Sequence, residues 1–203
     1  MIKTKDNNRK EKLKKMARIL CAGIEELNKE KFNRFDNHSF ETMNKPGGFL
    51  WGSTMTPNEY HLSDWLRWCS DEDFHVDKYQ KAVSFTLKKK SKIATIDTLE
   101  DYRNLMKNYS KWAYPDEMEY KYNRLVINWD KLSKDYDAFH LTEDAFWSMR
   151  LPWYPDELTD VDGNYLENFY SYDCETWIIF NLECINEGSI LNHSTGLKSW
   201  NME

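Results

Sequence analysis

The sequence has few glycines, prolines and cysteines, the residues that are typical of fibrous proteins, low-complexity proteins and metal sites. Glycine and proline number 7 and 5 among 203 residues, which excludes collagen-like and low-complexity classes. The four cysteines form no C-x-x-C pair, so the ligand framework of zinc and thioredoxin-type sites is missing and no metal is expected. Hydrophobic runs are short as well, and none approaches the roughly 20 apolar residues of a membrane span. The charged amino terminus does not resemble a signal peptide. We therefore expect a cytoplasmic protein with reduced thiols and no membrane partner.

Aromatic residues, in contrast, are abundant. The chain has 9 Trp, 12 Tyr and 10 Phe, which argues against disorder, and its length fits one domain over residues 1–203. The net charge is 28 − 34 = −6. Residues 1–18 hold eight bases against two acids, whereas residues 151–203 hold ten acids against one lysine. A basic extension over residues 1–17 on an acidic body indicates either a contact with nucleic acid or an acidic partner, or simply a solvated helix face.

Apolar spacing and turn residues predict short helices mixed with short strands, without a repeating βαβ pattern. This mixture is typical of an α+β protein. The predicted strands are 49–53, 81–87, 92–96, 138–142 and 176–180. The predicted helices are 64–69 with Ser63 as the N-cap, 99–109 with Asp97 and Glu100 as a capping box, and 129–135. Residues 150–173 are expected to be irregular.

Residues 18–22 allow two interpretations. The apolar residues of the segment 9–31 recur at spacings of three and four, which predicts one stripe of a helix. The same residues can instead form a strand if tertiary contacts override the local pattern.

Several common catalytic motifs are absent. The sequence has neither of the glycine-rich motifs that bind phosphate groups, G-x-x-x-x-G-K-[ST] and G-x-G-x-x-G. It also has no H-E-x-x-H zinc motif. His-x-Ser/Thr triplets do occur, among them those at His61 and His140. A pair of such triplets on facing strands is what a two-histidine phosphoesterase uses, with one histidine as base and the other as acid. Because three-residue patterns arise easily by chance, a structural role for both is the favoured interpretation.

A longer constellation carries a family resemblance. Its most specific segments are KPGGFLWGS at 45–53 and YDCETW at 172–177, and between them come WC at 68–69, INWD at 127–130 and YDAFHLTE at 136–143. In this order, over residues 18–186, the chain resembles a group of small bacterial and phage proteins of the ADP-ribosyltransferase-like superfamily. The resemblance implies a split, two-sheet α+β fold with short helices. It also implies transfer of ADP-ribose from NAD to a macromolecular acceptor, a protein or a nucleic acid, as a toxin or phage effector would do.

The resemblance also implies roles for individual residues. Glu175 and its neighbour Asp173 would be the catalytic carboxylates that stabilise the positive charge developing on the ribose. The residues expected to contact NAD are Lys45, Trp51, Ser53, Thr54 and His140. If the last strand began early enough, Asp173, Glu175 and Trp177 would share one of its faces, which favours a cleft over a solvated edge.

One position departs from the family pattern. Relatives carry a histidine in their first strand, and the matching position here is Cys21. A thiol is a poor substitute for the hydrogen bonding of an imidazole. A non-catalytic binding protein on the same fold, such as a phage-encoded inhibitor of a defence factor, is therefore a first alternative. The two-histidine phosphoesterase using His61 and His140 is a second.

Overall fold

The computed structural model describes residues 17–28, 44–57, 61–116, 123–150 and 158–197. The chain divides into two compact units, and each unit is discontinuous in sequence. Unit 1 comprises residues 1–29, 51–91 and 181–203, and unit 2 comprises residues 30–50 and 92–180. The protein is α+β, as the sequence predicts. The predicted basic extension lies almost entirely outside the described residues.

In its described residues, unit 1 has an antiparallel sheet and one α-helix. Its strands lie in the order β2-β1-β3-β9, and every pairing is antiparallel. The elements are β1 (Arg18–Ala22), β2 (Leu50–Thr54), α1 (Asp64–Asp71), β3 (Lys81–Thr86) and β9 (Leu191–Ser194). The helix begins where the sequence predicts, because the Ser63 side chain accepts a hydrogen bond from the Leu66 backbone N–H.

The helical interpretation of residues 18–22 is wrong. These residues form β1, which pairs with β3 along its whole length and with β2 at two positions. Ile19, Leu20 and Cys21 are all at most 1% exposed, so the strand is buried on both faces. A helix with one apolar stripe would bury only one side of this segment. A strand that is buried on both faces of its sheet covers all three side chains. Residues 17 and 23–28 of the predicted helix are not helical either, and residues 9–16 and 29–31 lie outside the described residues.

Unit 2 combines a small mixed sheet with three helices and a two-stranded ribbon. Strand β7 pairs in parallel with β4 and antiparallel with β8, while β5 pairs antiparallel with β6. The elements are β4 (Ile93–Ile96), α2 (Leu99–Tyr109), β5 (Ser110–Trp112), β6 (Leu125–Ile127), α3 (Trp129–Asp135), β7 (Ala138–Leu141), α4 (Glu143–Arg150) and β8 (Thr176–Ile179). Every residue of β7 and β8 is buried, so any polar side chain on them must find its partner inside the unit.

The predicted capping box of α2 is displaced by one residue. The N-cap is Thr98, whose hydroxyl accepts a hydrogen bond from the Asp101 backbone N–H and donates one to the Asp101 carboxylate. The same carboxylate accepts from the backbone N–H of Asp97. The box is therefore Thr98 with Asp101, since these two residues have the spacing and geometry to satisfy each other. Helix α4 was not predicted, and the described part of the predicted irregular segment, 158–173, contains no helix or strand.

Candidate functional site

A buried histidine–carboxylate pair lies at the pairing of β7 with β8 in unit 2. His140 is the third residue of β7, and Glu175 directly precedes β8. The His140 Nε2 and the Glu175 Oε1 lie 2.6 Å apart, although the two residues are 35 positions apart in sequence. Their side chains are only 7% and 9% exposed. Because this environment excludes most water, the hydrogen bond is stronger than the same contact would be at the surface.

The pair rests against a tryptophan. In the register of the two strands His140 lies opposite Trp177, and their rings stack with centroids 3.8 Å apart and planes 11° apart. Trp177 is fully buried. Stacking on this flat neighbour limits rotation of the imidazole and so holds its Nε2 towards Glu175.

The two ring nitrogens of His140 have different surroundings. An ionised carboxylate only accepts hydrogen bonds, so with Glu175 ionised the proton of a neutral His140 lies on Nε2. The other nitrogen, Nδ1, is buried and has no hydrogen-bond partner among the described residues. A buried acceptor without a partner is uncommon in folded proteins and is a reason to look for a function at this position.

The expected arrangement of Asp173 and Glu175 on one strand face is wrong. Strand β8 begins only at Thr176, so both carboxylates belong to the segment before it. Local hydrogen bonds shape this segment: the Thr176 hydroxyl donates to the Cys174 carbonyl, and the Cys174 thiol donates to the Glu175 carbonyl. Glu175 is buried and Asp173 is half-buried, so their environments differ although their chemistry is the same.

Lys45 lies beside the segment that leads to Glu175. Its Nζ donates a hydrogen bond of 2.8 Å to the Ser171 carbonyl and lies 6.0 Å from the centre of the Tyr172 ring. Of the predicted site residues, the structure thus brings Lys45, His140, Asp173 and Glu175 into unit 2. His140 and Glu175 are in direct contact, and Lys45 contacts the segment that carries Asp173 and Glu175.

The other three predicted residues lie on β2 in unit 1. Ser53 pairs with Leu20 of β1, and Thr54 pairs with Ile19. As neighbours on a strand, Ser53 and Thr54 point to opposite faces of the sheet, and Trp51 shares the face of Ser53. Ser53 is 1% exposed, and its hydroxyl has no hydrogen-bond partner. Trp51 and Thr54 are half-buried.

Cys21, the position where the resemblance expects a histidine, is part of the core of unit 1. Cys21 is fully buried, and burial raises the pKa of its thiol. A Cβ added to Gly52 would lie 2.8 Å from the Ile19 Cγ2 and the Leu20 carbonyl oxygen and 2.9 Å from the Cys21 Sγ, so β2 has no room for a side chain there. The Cys21 thiol packs beside Gly52 and stays protonated at neutral pH.

The sequence analysis missed a buried polar network around Asn44. The Asn44 amide donates to the Tyr102 hydroxyl and the Glu167 carbonyl, and its Oδ1 accepts from the Ile127 backbone N–H. The Tyr172 hydroxyl donates to the Asn44 carbonyl over 2.5 Å. Burial raises the pKa of both tyrosines. The one signal in the sequence is an asparagine at the start of a turn cluster, because asparagine tolerates the left-handed backbone that Asn44 adopts, at a φ of 53°.

A second polar cluster, also missed, lies in unit 1. The Arg18 Nη1 donates to the Ser84 Oγ over 2.9 Å and to the Ser189 carbonyl over 2.8 Å. The Ser84 hydroxyl in turn lies 2.7 Å from the His193 Nε2, to which it donates when that nitrogen carries no proton. Partial burial, and then the nearby Arg18 charge, lower the pKa of His193. Ser84 is fully buried, so the cluster ties β1, β3 and β9 together rather than presenting a nucleophile to a substrate.

The His-x-Ser/Thr triplets at His61 and His140 both have a structural explanation. Ser63 caps α1, and the Thr142 hydroxyl likewise accepts a hydrogen bond from the Ala145 backbone N–H at the start of α4. His61 belongs to unit 1 and His140 to unit 2. The phosphoesterase hypothesis therefore has no geometric support of its own, because each hydroxyl already serves as a helix cap.

The comparisons leave the site to be judged on its geometry. Within the described residues, no group of three or more His, Cys, Asp or Glu side chains could hold a metal ion. In the same part of the chain, no helix has the length and apolar character needed to cross a membrane. The four cysteines, all of them described, form no disulfide. Comparison with protein-family models, curated proteins and solved structures finds no significant match.

Proposed function

We propose that this protein transfers ADP-ribose from NAD to a macromolecular acceptor, with Glu175 as the catalytic carboxylate, on a split-sheet ADP-ribosyltransferase-like fold. The observation that carries the proposal is the buried contact between Glu175 and His140. Both residues belong to the motifs that carry the family resemblance, and they are far apart in sequence. They meet beside a flat aromatic wall, Trp177, in an environment from which most water is excluded.

The chemistry requires few groups. The bond between C1′ of the ribose and the nicotinamide nitrogen breaks, and its electron pair leaves with nicotinamide. The ribose passes through an oxocarbenium-like transition state, as in glycoside hydrolysis. The Glu175 carboxylate would stabilise the positive charge that develops at C1′. An acceptor oxygen or nitrogen then bonds to C1′ and releases its proton, so the products are nicotinamide, the ADP-ribosylated acceptor and one proton.

In this proposal His140 orients the carboxylate. Its Nε2–H holds one oxygen of Glu175, and the stack on Trp177 fixes the ring plane. A carboxylate held in advance needs no reorganisation when charge develops, which is where most of its catalytic benefit arises. The low exposure of the pair also protects the oxocarbenium-like species from water.

The direct test is NAD binding and nicotinamide release by Glu175→Gln beside the wild type. The substitution keeps the shape of the side chain and removes its charge. We expect nicotinamide release to fall about 100-fold, the usual loss when one stabilising group is removed from a transition state. Calorimetric titration should show that NAD still binds.

The matched control is Glu143→Gln, the same chemical change on the exposed first residue of α4. It should retain the wild-type rate. Asp173→Asn should reduce the rate by a smaller factor than Glu175→Gln, because a half-exposed carboxylate is screened by solvent. A wild type that neither binds nor cleaves NAD would refute the transferase proposal, whereas full activity in Glu175→Gln would refute only the choice of residue.

The second candidate is a non-catalytic binding protein on the same fold. The observation in its favour is Cys21, which fills the core of unit 1 where the resemblance expects an NAD-contacting histidine. This candidate predicts that NAD stays intact and that a purified protein partner binds the wild type and Glu175→Gln with equal affinity. A rate of nicotinamide release that depends on Glu175 would exclude it.

A further inference from the structure

Two short segments of unit 2 exchange hydrogen bonds in both directions. The Lys45 side chain donates to the backbone carbonyl of Ser171 over 2.8 Å. The Tyr172 side chain donates to the backbone carbonyl of Asn44 over 2.5 Å. Residues 44 and 45 form one segment, and residues 171 and 172 form the other. Each segment thus contributes one side chain and one backbone carbonyl. We call this reciprocal contact the latch.

Both halves of the latch are firmly anchored. Asn44 is fully buried and bonded through its amide to Tyr102, Glu167 and Ile127. Tyr172 is 1% exposed, and its ring packs against that of Phe169 with centroids 5.4 Å apart. The latch therefore joins two rigid regions and transmits a displacement of one to the other.

Glu175 follows the latch by only three residues. On its other side it is followed at once by β8, whose register with β7 is set by four paired residues. The segment 173–175 is thus held at both ends, by the latch and by the sheet.

We propose that Lys45 and Tyr172 are positioning residues that hold Glu175 in place against His140. This inference rests on the proposed function and gives Lys45 a role different from contact with the pyrophosphate of NAD. The ammonium is directed at a backbone carbonyl and lies 6.0 Å from the centre of the Tyr172 ring, the surroundings of a structural lysine. The Lys45 ammonium has three N–H donors, and this carbonyl takes one of them.

The test compares Lys45→Met with a matched lysine elsewhere in unit 2. The Lys131 Nζ likewise donates to a backbone carbonyl, that of Asn108 over 2.7 Å, and lies 5.7 Å from the centre of the Tyr109 ring. Lys131→Met thus removes the same kind of contact away from Glu175. Lys45→Arg, which keeps the charge and the donors, is the conservative variant, and Tyr172→Phe removes the other half of the latch.

The first measurement is independent of NAD. Nuclear magnetic resonance of protein labelled with ¹⁵N at histidine reports on the Nε2–H of His140. Lys45→Met and Tyr172→Phe should both shift this signal and speed its exchange with water, whereas Lys131→Met should leave it unchanged and Lys45→Arg should restore it. A His140 signal that is identical in the wild type, Lys45→Met and Tyr172→Phe would overturn the proposal.

The second measurement separates positioning from substrate binding. A misplaced catalytic group lowers kcat, and we expect a loss of roughly tenfold in Lys45→Met with KM for NAD within about twofold of the wild type. A KM that rises, with kcat unchanged, would identify Lys45 as a ligand of NAD and refute the positioning role. If the wild type neither binds nor cleaves NAD, the transferase proposal fails, and the His140 signal still decides whether the latch positions Glu175.

Discussion

Asn44 combines a left-handed backbone with a fully buried side chain. Its side-chain NH₂ donates hydrogen bonds to the Tyr102 hydroxyl and the Glu167 carbonyl, and its Oδ1 accepts one from the Ile127 backbone N–H. Asparagine is one of the few residues that adopt this backbone at low cost and can also serve a buried polar network. At the scale of one residue, Asn44 anchors the start of the segment 45–50 within unit 2.

We expect Asn44→Ala to lower the free energy of unfolding by about 3–5 kcal/mol. The substitution leaves buried polar groups without partners. It also places alanine, whose side chain offers no compensating hydrogen bond, in a left-handed backbone. Asn44→Gly should lose about 1 kcal/mol less, since glycine relieves the backbone cost. Urea unfolding measures both. The control is Asn168→Ala, which removes a single hydrogen bond to the Tyr170 N–H. Equal stabilities of the Ala and Gly variants would argue against the backbone contribution.

At the scale of elements, helix α2 starts with a box formed by Thr98 and Asp101. The Thr98 hydroxyl satisfies one backbone N–H of the first turn, which would otherwise lack a partner within the helix. The Asp101 carboxylate also lies in the first turn, where it interacts favourably with the helix dipole.

Thr98→Ala should therefore destabilise the protein by about 1 kcal/mol, the usual cost of losing an N-cap. Glu100→Ala should stay within about 0.5 kcal/mol of the wild type, because Glu100 is an exposed residue outside the box. The midpoints of thermal or urea unfolding give both values. A larger loss of stability in Glu100→Ala than in Thr98→Ala would favour the capping box of Asp97 and Glu100 that the sequence predicts.

At the scale of the whole molecule, stability should depend on pH through His193. Partial burial and the Arg18 charge lower the pKa of His193 in the folded protein below its ordinary 6.5. The unfolded chain therefore binds a proton at higher pH than the folded one does. The stabilisation is fully present above the unfolded pKa and is lost as pH falls through the folded pKa.

We expect the melting temperature of the wild type to fall more between about pH 7.5 and pH 5.5 than that of His193→Gln, which carries no titrating group. Asn192→Ala changes an exposed residue on the same strand and should keep the pH dependence of the wild type. Differential scanning calorimetry at matched ionic strength measures the three proteins. Parallel curves for the wild type and His193→Gln would show that His193 does not couple to folding.

Local chemistry was enough to predict much of the secondary structure. Ser63 precedes an amphipathic run and caps α1, and four of the five residues predicted as a strand over 176–180 form β8, Thr176–Ile179. The α+β class follows from such short, independent signals, because each depends on residues within one or two turns of chain. Glu175 and His140 were also named from the sequence, through the resemblance of their motifs, and the bond between them was not.

Only the tertiary structure decided the rest. Residues 18–22 satisfy a helical pattern locally and become β1, because pairing on both sides buries Ile19 and Cys21 more completely than one helix face could. The contact of His140 with Glu175 spans 35 residues, and that of Asn44 with Tyr172 spans 128. No local propensity encodes such distances. The sequence by itself determined which segments form helices and strands where the local signal is strong, and the burial of whole strands and polar groups decided which residues meet.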